Sequence, residues 1–183
     1  MIEFNTRLDM LDWLPKGIRC AEIGVRKGAF SQQIVNRVSP KILWLVDAWK
    51  HIAGEYEQDP SNVSDEEHLK NYQQVLEVFH RKRGTAVFKA MSVEFANVVW
   101  DDSFDFVYLD ASHIKKDFEA DLAAWYPKVR SGGILAGHDY RDPTEDKPYI
   151  QVKSAVDEFL LANGLELEFI TKEQFPSWGA RKP

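Results

Sequence analysis

The chain has 183 residues, a formal net charge of −6 and one cysteine. That is one domain's length and enough to bury a sizeable core. Bases are interspersed among the acids, which leaves no basic stripe for a nucleic-acid backbone, and the lone Cys20 can make no internal disulfide.

The start, Met1-Ile2-Glu3-Phe4-Asn5, has no basic stretch leading into an apolar run, and no stretch of the chain is apolar for long enough to span a bilayer. The expectation is a cytoplasmic protein with no membrane partner. Thr6 to Leu14 places Leu8, Leu11 and Leu14 on one helical face, and Pro15 and Gly17 end it. Around Cys20-Ala21-Glu22-Ile23 the chain is short and apolar, as a buried strand is. Gly24 and Gly28 then make a turn, and Phe30, Ile34, Val35 and Val38 recur at helical spacing. After a turn at Ser39-Pro40, Ile42 to Val46 reads as a second strand, ending on Asp47.

From Trp49 to Val63 no period is sustained. A loop of this length on the carboxyl rim of a sheet suits a lid or substrate loop as well as a disordered insertion. Ser64-Asp65-Glu66-Glu67 reads as a capping box opening a helix with Leu69, Tyr72, Val75, Leu76 and Phe79 inward. Arg81-Lys82-Arg83, the one basic cluster, falls at that helix's carboxyl end, where cations complement the dipole. Thr85 to Ala90 is a third strand, and Ser92 is placed to cap a short helix over Val93 to Val99. Phe104 to Asp110 is a fourth strand, followed by a helix with Ile114, Phe118, Leu122 and Trp125 inward.

Ser131-Gly132-Gly133 turns into a fifth strand, Ile134 to Gly137, which ends on His138-Asp139-Tyr140. A helix over Val152, Ala155, Val156, Phe159 and Leu160 stops at Asn163-Gly164. Leu165 to Ile170 and Ser177 to Arg181 are the last two strands. Their connection, Thr171 to Pro176, is too short for a crossover helix, so they form an antiparallel hairpin. The expected fold is α/β: a doubly wound, Rossmann-like, mostly parallel seven-stranded sheet with an antiparallel last strand and helices on both faces. Residues 1–183 form a single domain.

The glycine turn distinguishes between nucleotides. A dinucleotide turn reads G-x-G-x-x-G and wraps a pyrophosphate. Here the middle glycine is missing and an acid, Glu22, sits at the strand end, where it would repel a pyrophosphate and suit a cationic ligand. Asp47, about 20 residues on, stands where ribose hydroxyls want an acceptor. The pattern E-x-G-x-x-x-G, with a following strand that ends in Asp, resembles the first motif and the acidic motif of class I methyltransferases that use S-adenosylmethionine. The antiparallel end of the sheet agrees with their architecture.

Three strands end in acids on one rim, Asp47, Asp110 and Asp139, with His113 and His138 among them. Asp110 and Asp139 end neighbouring strands, so their carboxylates can converge, and oxygen ligands on an open rim suit Mg²⁺ or Mn²⁺. The run F-D-F-V-Y-L-D-A-S-H and the later G-G-I-L-A-G-H-D-Y resemble small-molecule O-methyltransferases. The similarity is to the metal-dependent macrolide-sugar enzymes and, more remotely, the catechol type. That resemblance implies Asp110 and Asp139 as metal ligands and His113 as general base. It implies Glu22, Gly24, Gly28, Asp47, Ser92 and Asp110 around the S-adenosylmethionine cofactor, and a small hydroxylated molecule as acceptor. Further acidic ligands are not placed by it; Glu55, Glu57, Asp59 and Asp142 are candidates by location.

His138 could be a third ligand, a group that supports the ligands or a satisfied histidine near the core edge; a non-ligand role is expected, because a neighbour of Asp139 along a strand points to the other face. Trp49 and Met91 could pack on an adenine or simply in the core. Aromatics in the loop could meet substrate or a second subunit of a homo-oligomer. A nicotinamide-dependent oxidoreductase, which Glu22 and the missing glycine argue against, and a non-catalytic cofactor-binding protein are the competing readings.

Overall fold

A computed structural model describes all residues, 1–183. Five parallel strands follow the expected order: β2 (Arg19–Ile23), β3 (Ile42–Asp47), β4 (Thr85–Lys89), β5 (Phe104–Leu109) and β6 (Val129–Gly137). The hairpin β7 (Leu167–Thr171) and β8 (Trp178–Arg181) completes the seven expected strands. An eighth, β1 (Ile2–Phe4), adds to the edge beside β7. Three half-exposed residues are too few to show a period, so this strand leaves no sequence signal.

Across the sheet the order is β1-β7-β8-β6-β5-β2-β3-β4, and β8 alone runs antiparallel, between β6 and β7. From the adjacent pair β2 and β5 the chain winds outward in opposite directions. Their carboxyl ends therefore flank the crevice in which open α/β sheets bind ligands.

Alternation along each strand divides the core into two layers. Ala21, Ile23, Val107, Leu109 and Leu135 face α5 (Lys115–Trp125) and α6 (Val152–Asn163). Cys20, Leu43, Leu45, Phe106 and Tyr108 face α1 (Arg7–Trp13), α2 (Ala29–Val38) and α3 (Asp65–Phe79). Phe106, Phe118, Trp125 and Trp178 are fully buried. Burying one phenylalanine contributes about 1.5–3 kcal/mol, so these rings anchor both layers.

Several local expectations shift. Ser64 accepts a hydrogen bond from the Glu67 N–H at 3.3 Å, which is half of the expected capping box. The reciprocal box is at Thr6 and Asp9, opening α1. Leu69 is exposed, and α3 buries His68, Asn71, Val75 and Phe79 instead. Ser92 is the first residue of α4 (Ser92–Ala96) rather than its cap; Met91 occupies the cap position. The Ser131–Gly133 turn lies inside β6, which starts at Val129, and β7 starts at Leu167. No helix is long and apolar enough to cross a membrane.

Candidate active site

The glycine turn joins β2 to α2 at the crevice. Gly24 has φ +90°, and a Cβ there would lie 2.0 Å from the Asp110 carbonyl oxygen, so only glycine lets the β2 and β5 ends approach this closely. Gly28 caps α2 at φ +77°. Asp47 holds the turn from the side. Its Oδ2 accepts from the N–H groups of Val25 and Arg26, each at 2.8 Å, and Oδ1 accepts from Trp49 N–H at 2.7 Å. Two bonds at Oδ2 and one at Oδ1 leave an acceptor site on Oδ1.

Glu22 is buried at the end of β2, with its Oε2 unpartnered. Burial pushes its carboxyl up to about 8. An orphaned buried oxygen in this position fits a ligand that brings its own donor.

The second cluster gathers on His113. Asp59 Oδ2 lies 2.8 Å from His113 Nδ1, Asp139 Oδ2 2.9 Å from Nε2 and Asp110 Oδ1 3.7 Å from Nε2. The Asp139 contact is close but out of line for a hydrogen bond, which leaves Nε2 buried without a directed partner. Burial opposes a proton on His113, but the carboxylates of Asp110, Asp139 and Asp59 outweigh it and raise the imidazole well above its ordinary value. Asp139 is held well below the usual carboxylate range: burial works against its charge, and His113 and His138 overcome that.

One ligand atom each from Asp110, His113 and Asp139 falls within 4.8 Å of the others. The two carboxylate oxygens at this spacing fit a divalent cation, with the imidazole nitrogen close beside them.

His138 does not point to the other face as strand alternation suggested, and it is not among the three residues whose ligand atoms converge. Its Nδ1 lies 3.1 Å from Asp139 Oδ2 and 3.9 Å from Asp110 Oδ1. The strand has ended at Gly137, and Asp139 turns to φ +54°, a conformation that aspartate tolerates, so alternation no longer applies.

Ser92 commits its side chain elsewhere, donating to Asp121 and accepting from Trp125 Nε1–H at 2.9 Å. Trp49 is buried, donates Nε1–H to the Arg26 carbonyl at 2.8 Å and packs on Tyr72, and it also lines the cavity that Met91 borders. Met91 is exposed and borders a cavity of about 440 Å³ between the β3 and β4 loops, lined also by Ala48, Lys89 and Ala90. A cavity of about 420 Å³ at Met1, Ile2 and Leu165 lies at the far sheet edge, remote from every strand-end acid.

The loop from Trp49 to Val63 folds over the rim. A turn of 3-10 helix, Glu55–Gln58, brings Tyr56 to donate to Asp117, with Ser112 Oγ 3.5 Å away. Asn62 ties both the N–H and the carbonyl of Ile52, at 2.9 and 2.7 Å. Of the four acids considered by location, Asp59 is the one that reaches the cluster. Arg7 was not anticipated: its Nη1 lies 3.8 Å from Asp110 Oδ2.

A crossover crevice, a strand-end acid beside a glycine turn and a reversed strand between β6 and β7 define an α/β protein of class I methyltransferase architecture. Residues 21–140 match a family described as "Methyltransferase domain", and the chain belongs to that family. No curated protein sequence matches it.

Similar folds include the N-methyltransferase NodS of Bradyrhizobium japonicum, at 14% identity and TM-score 0.67, covering 98% of this chain and 94% of that one. Aeropyrum pernix fibrillarin, solved with natively bound S-adenosyl-L-methionine, matches at 14% identity and TM-score 0.62, covering 95% and 73%. An O-methyltransferase family protein from Burkholderia thailandensis matches at 11% and 0.62, covering 96% and 55%. The same fold thus occurs in a protein named an N-methyltransferase and in one of an O-methyltransferase family, so the acceptor has to be argued from the site.

Proposed function

We propose that the protein is an S-adenosylmethionine-dependent O-methyltransferase of small hydroxylated molecules, with His113 as general base and a divalent cation held by Asp110 and Asp139. The observation that carries this reading is the His113 Nε2 that faces Asp110 and Asp139, beside the crevice containing Glu22 and Gly24. The cofactor supplies an electrophilic methyl group, transferred by in-line displacement from its sulfonium.

The chain's own part is to bind, align and deprotonate. The glycine turn and Glu22 would receive the amino-acid end of the cofactor, and the free acceptor site on Asp47 Oδ1 would accept from a ribose hydroxyl. The cavity bordered by Met91 has the size and place for an adenine. Ser92 serves the same corner from the start of α4, where its hydroxyl is bonded to Asp121.

His113 is oriented by Asp59 at Nδ1, which leaves Nε2 to take the acceptor's proton. Three carboxylates around the imidazole favour its protonated form. For His113 to act as a base the charge of Asp110 and Asp139 would have to be offset, and a divalent cation held by those two carboxylates would do this and would lower the hydroxyl's pKa. His138 supports Asp139 from the other side.

The test is calorimetric titration with S-adenosylhomocysteine, with and without magnesium, followed by turnover on a panel of alcohols and phenols. Saturable binding and magnesium-dependent product are expected. Absence of binding overturns the cofactor, and turnover unchanged by EDTA overturns the metal.

A further inference from the structure

Resting on the S-adenosylmethionine reading above, we infer that Arg7 holds the α-carboxylate of the cofactor's amino-acid end. Arg7 precedes residues 21–140, so the family match assigns it no part.

The inference begins with charge. The crevice presents the acids Glu22, Asp47 and Asp110, which suit the ammonium and the ribose. An amino-acid end also carries a carboxylate, and that group needs a cation. His113 and His138 are occupied by Asp59 and Asp139. Arg7 remains.

The fold aims Arg7 there. The reciprocal bonds of Thr6 and Asp9 fix the start of α1. The Arg7 backbone N–H donates to Glu173 Oε2 at 2.7 Å, tying α1 to the β7–β8 connection. The side chain then crosses Phe30, with the guanidinium carbon 4.6 Å from the ring centroid, on the first turn of the helix that Gly28 caps. Its nearest carboxylate, on Asp110, stays at 3.8 Å, beyond hydrogen-bond reach.

The guanidinium fork is therefore half-buried, positioned and unmatched by a carboxylate at bonding distance, beside a Glu22 whose Oε2 is itself unpartnered. A planar fork is the group that receives a carboxylate through two parallel bonds. Glu22 Oε2 lacks a partner, and Arg7 has the Tyr108 hydroxyl beside it and Asp110 at 3.8 Å, which leaves the guanidinium donors to spare; together they match the two ends of a zwitterion.

The experiment is calorimetry of S-adenosylhomocysteine and of 5′-methylthioadenosine, which lacks the amino-acid end, on the wild type, Arg7→Ala, Arg7→Met and Arg7→Lys. Thermal melting without ligand checks that each variant folds; Arg7→Met retains the stem over Phe30. Loss of a charge-assisted pair predicts roughly 10- to 100-fold weaker S-adenosylhomocysteine binding in Arg7→Ala and Arg7→Met. A smaller loss is expected in Arg7→Lys, and methylthioadenosine binding should stay within about 2-fold.

Equal S-adenosylhomocysteine affinity in wild type and Arg7→Met overturns the inference and leaves the cofactor reading standing. So does an equal loss for both ligands, which makes Arg7 merely structural. Failure of the wild type to bind S-adenosylhomocysteine overturns the cofactor reading itself.

Discussion

Asp59 and His113 are 54 positions apart in the chain, and Asp59 Oδ2 lies 2.8 Å from His113 Nδ1. The aspartate comes from the rim loop and the histidine from the β5–α5 connection, so one contact both orients the imidazole and pins the loop. Tyr56, bonded to Asp117, is the loop's second anchor.

Asp59→Ala should loosen the loop and leave a buried Nδ1–H without its acceptor. A charge-assisted bond contributes on the order of 1.5–3 kcal/mol, which for a chain of this size lowers the melting temperature by about 5 °C. Limited proteolysis should cut first between residues 49 and 63. A variant melting with the wild type and equally resistant to protease would mean that Asp59 holds nothing.

Manganese binding followed by electron paramagnetic resonance tests the acid pair directly. Asp110→Asn and Asp139→Asn should each weaken Mn²⁺ binding by at least about 10-fold, since each removes one anionic oxygen ligand. Glu57→Gln is the control: that side chain pairs with His51 and does not reach the cluster. If all three variants bind alike, the acids do not form a metal site.

Gly24→Ala should fail to fold or to bind S-adenosylhomocysteine. A methyl group there meets the Asp110 carbonyl at 2.0 Å, and the +90° φ adds backbone strain. Overpacking and a disfavoured φ together cost on the order of 2–5 kcal/mol. Gly54, at φ +95° with open space around it, should tolerate alanine better, since only the strain applies. Urea denaturation of the two variants compares them.

Asp121 gives a pH signature. Burial pushes its carboxyl up to about 7, and the Ser92 hydroxyl bond only partly offsets this. The folded state therefore keeps a proton that the unfolded state releases near pH 4, and stability falls as pH rises from about 4 to 7 and then levels. Asp121→Asn keeps an acceptor for Ser92 and removes that slope. Its stability relative to wild type should grow by a few kcal/mol between pH 4 and 8 in urea titrations. A difference independent of pH would show that Asp121 is charged in the fold.

Much of the framework was legible because its signals are local. Apolar runs of strand length, helical spacing and glycines at 24 and 28 give the order of elements, and neighbouring parallel strands bring Asp110 and Asp139 to one rim. The weaker expectations failed where tertiary contact outweighs local pattern. Ser92 turned to Asp121 and Trp125, and His138 turned inward because Asp139 leaves the strand conformation.

From the residue order by itself came the doubly wound sheet, its reversed strand and the acids at strand ends, since these follow from periodicity and from what each turn permits. Only the folded chain could bring Arg7 and Asp59 to the centre. Neither has a spacing relation to Asp110 or His113; they arrive because α1 packs beneath the sheet rim and the loop after β3 folds across it. Contacts of that kind are set by how separate elements cross in space, and no window along the chain contains both partners.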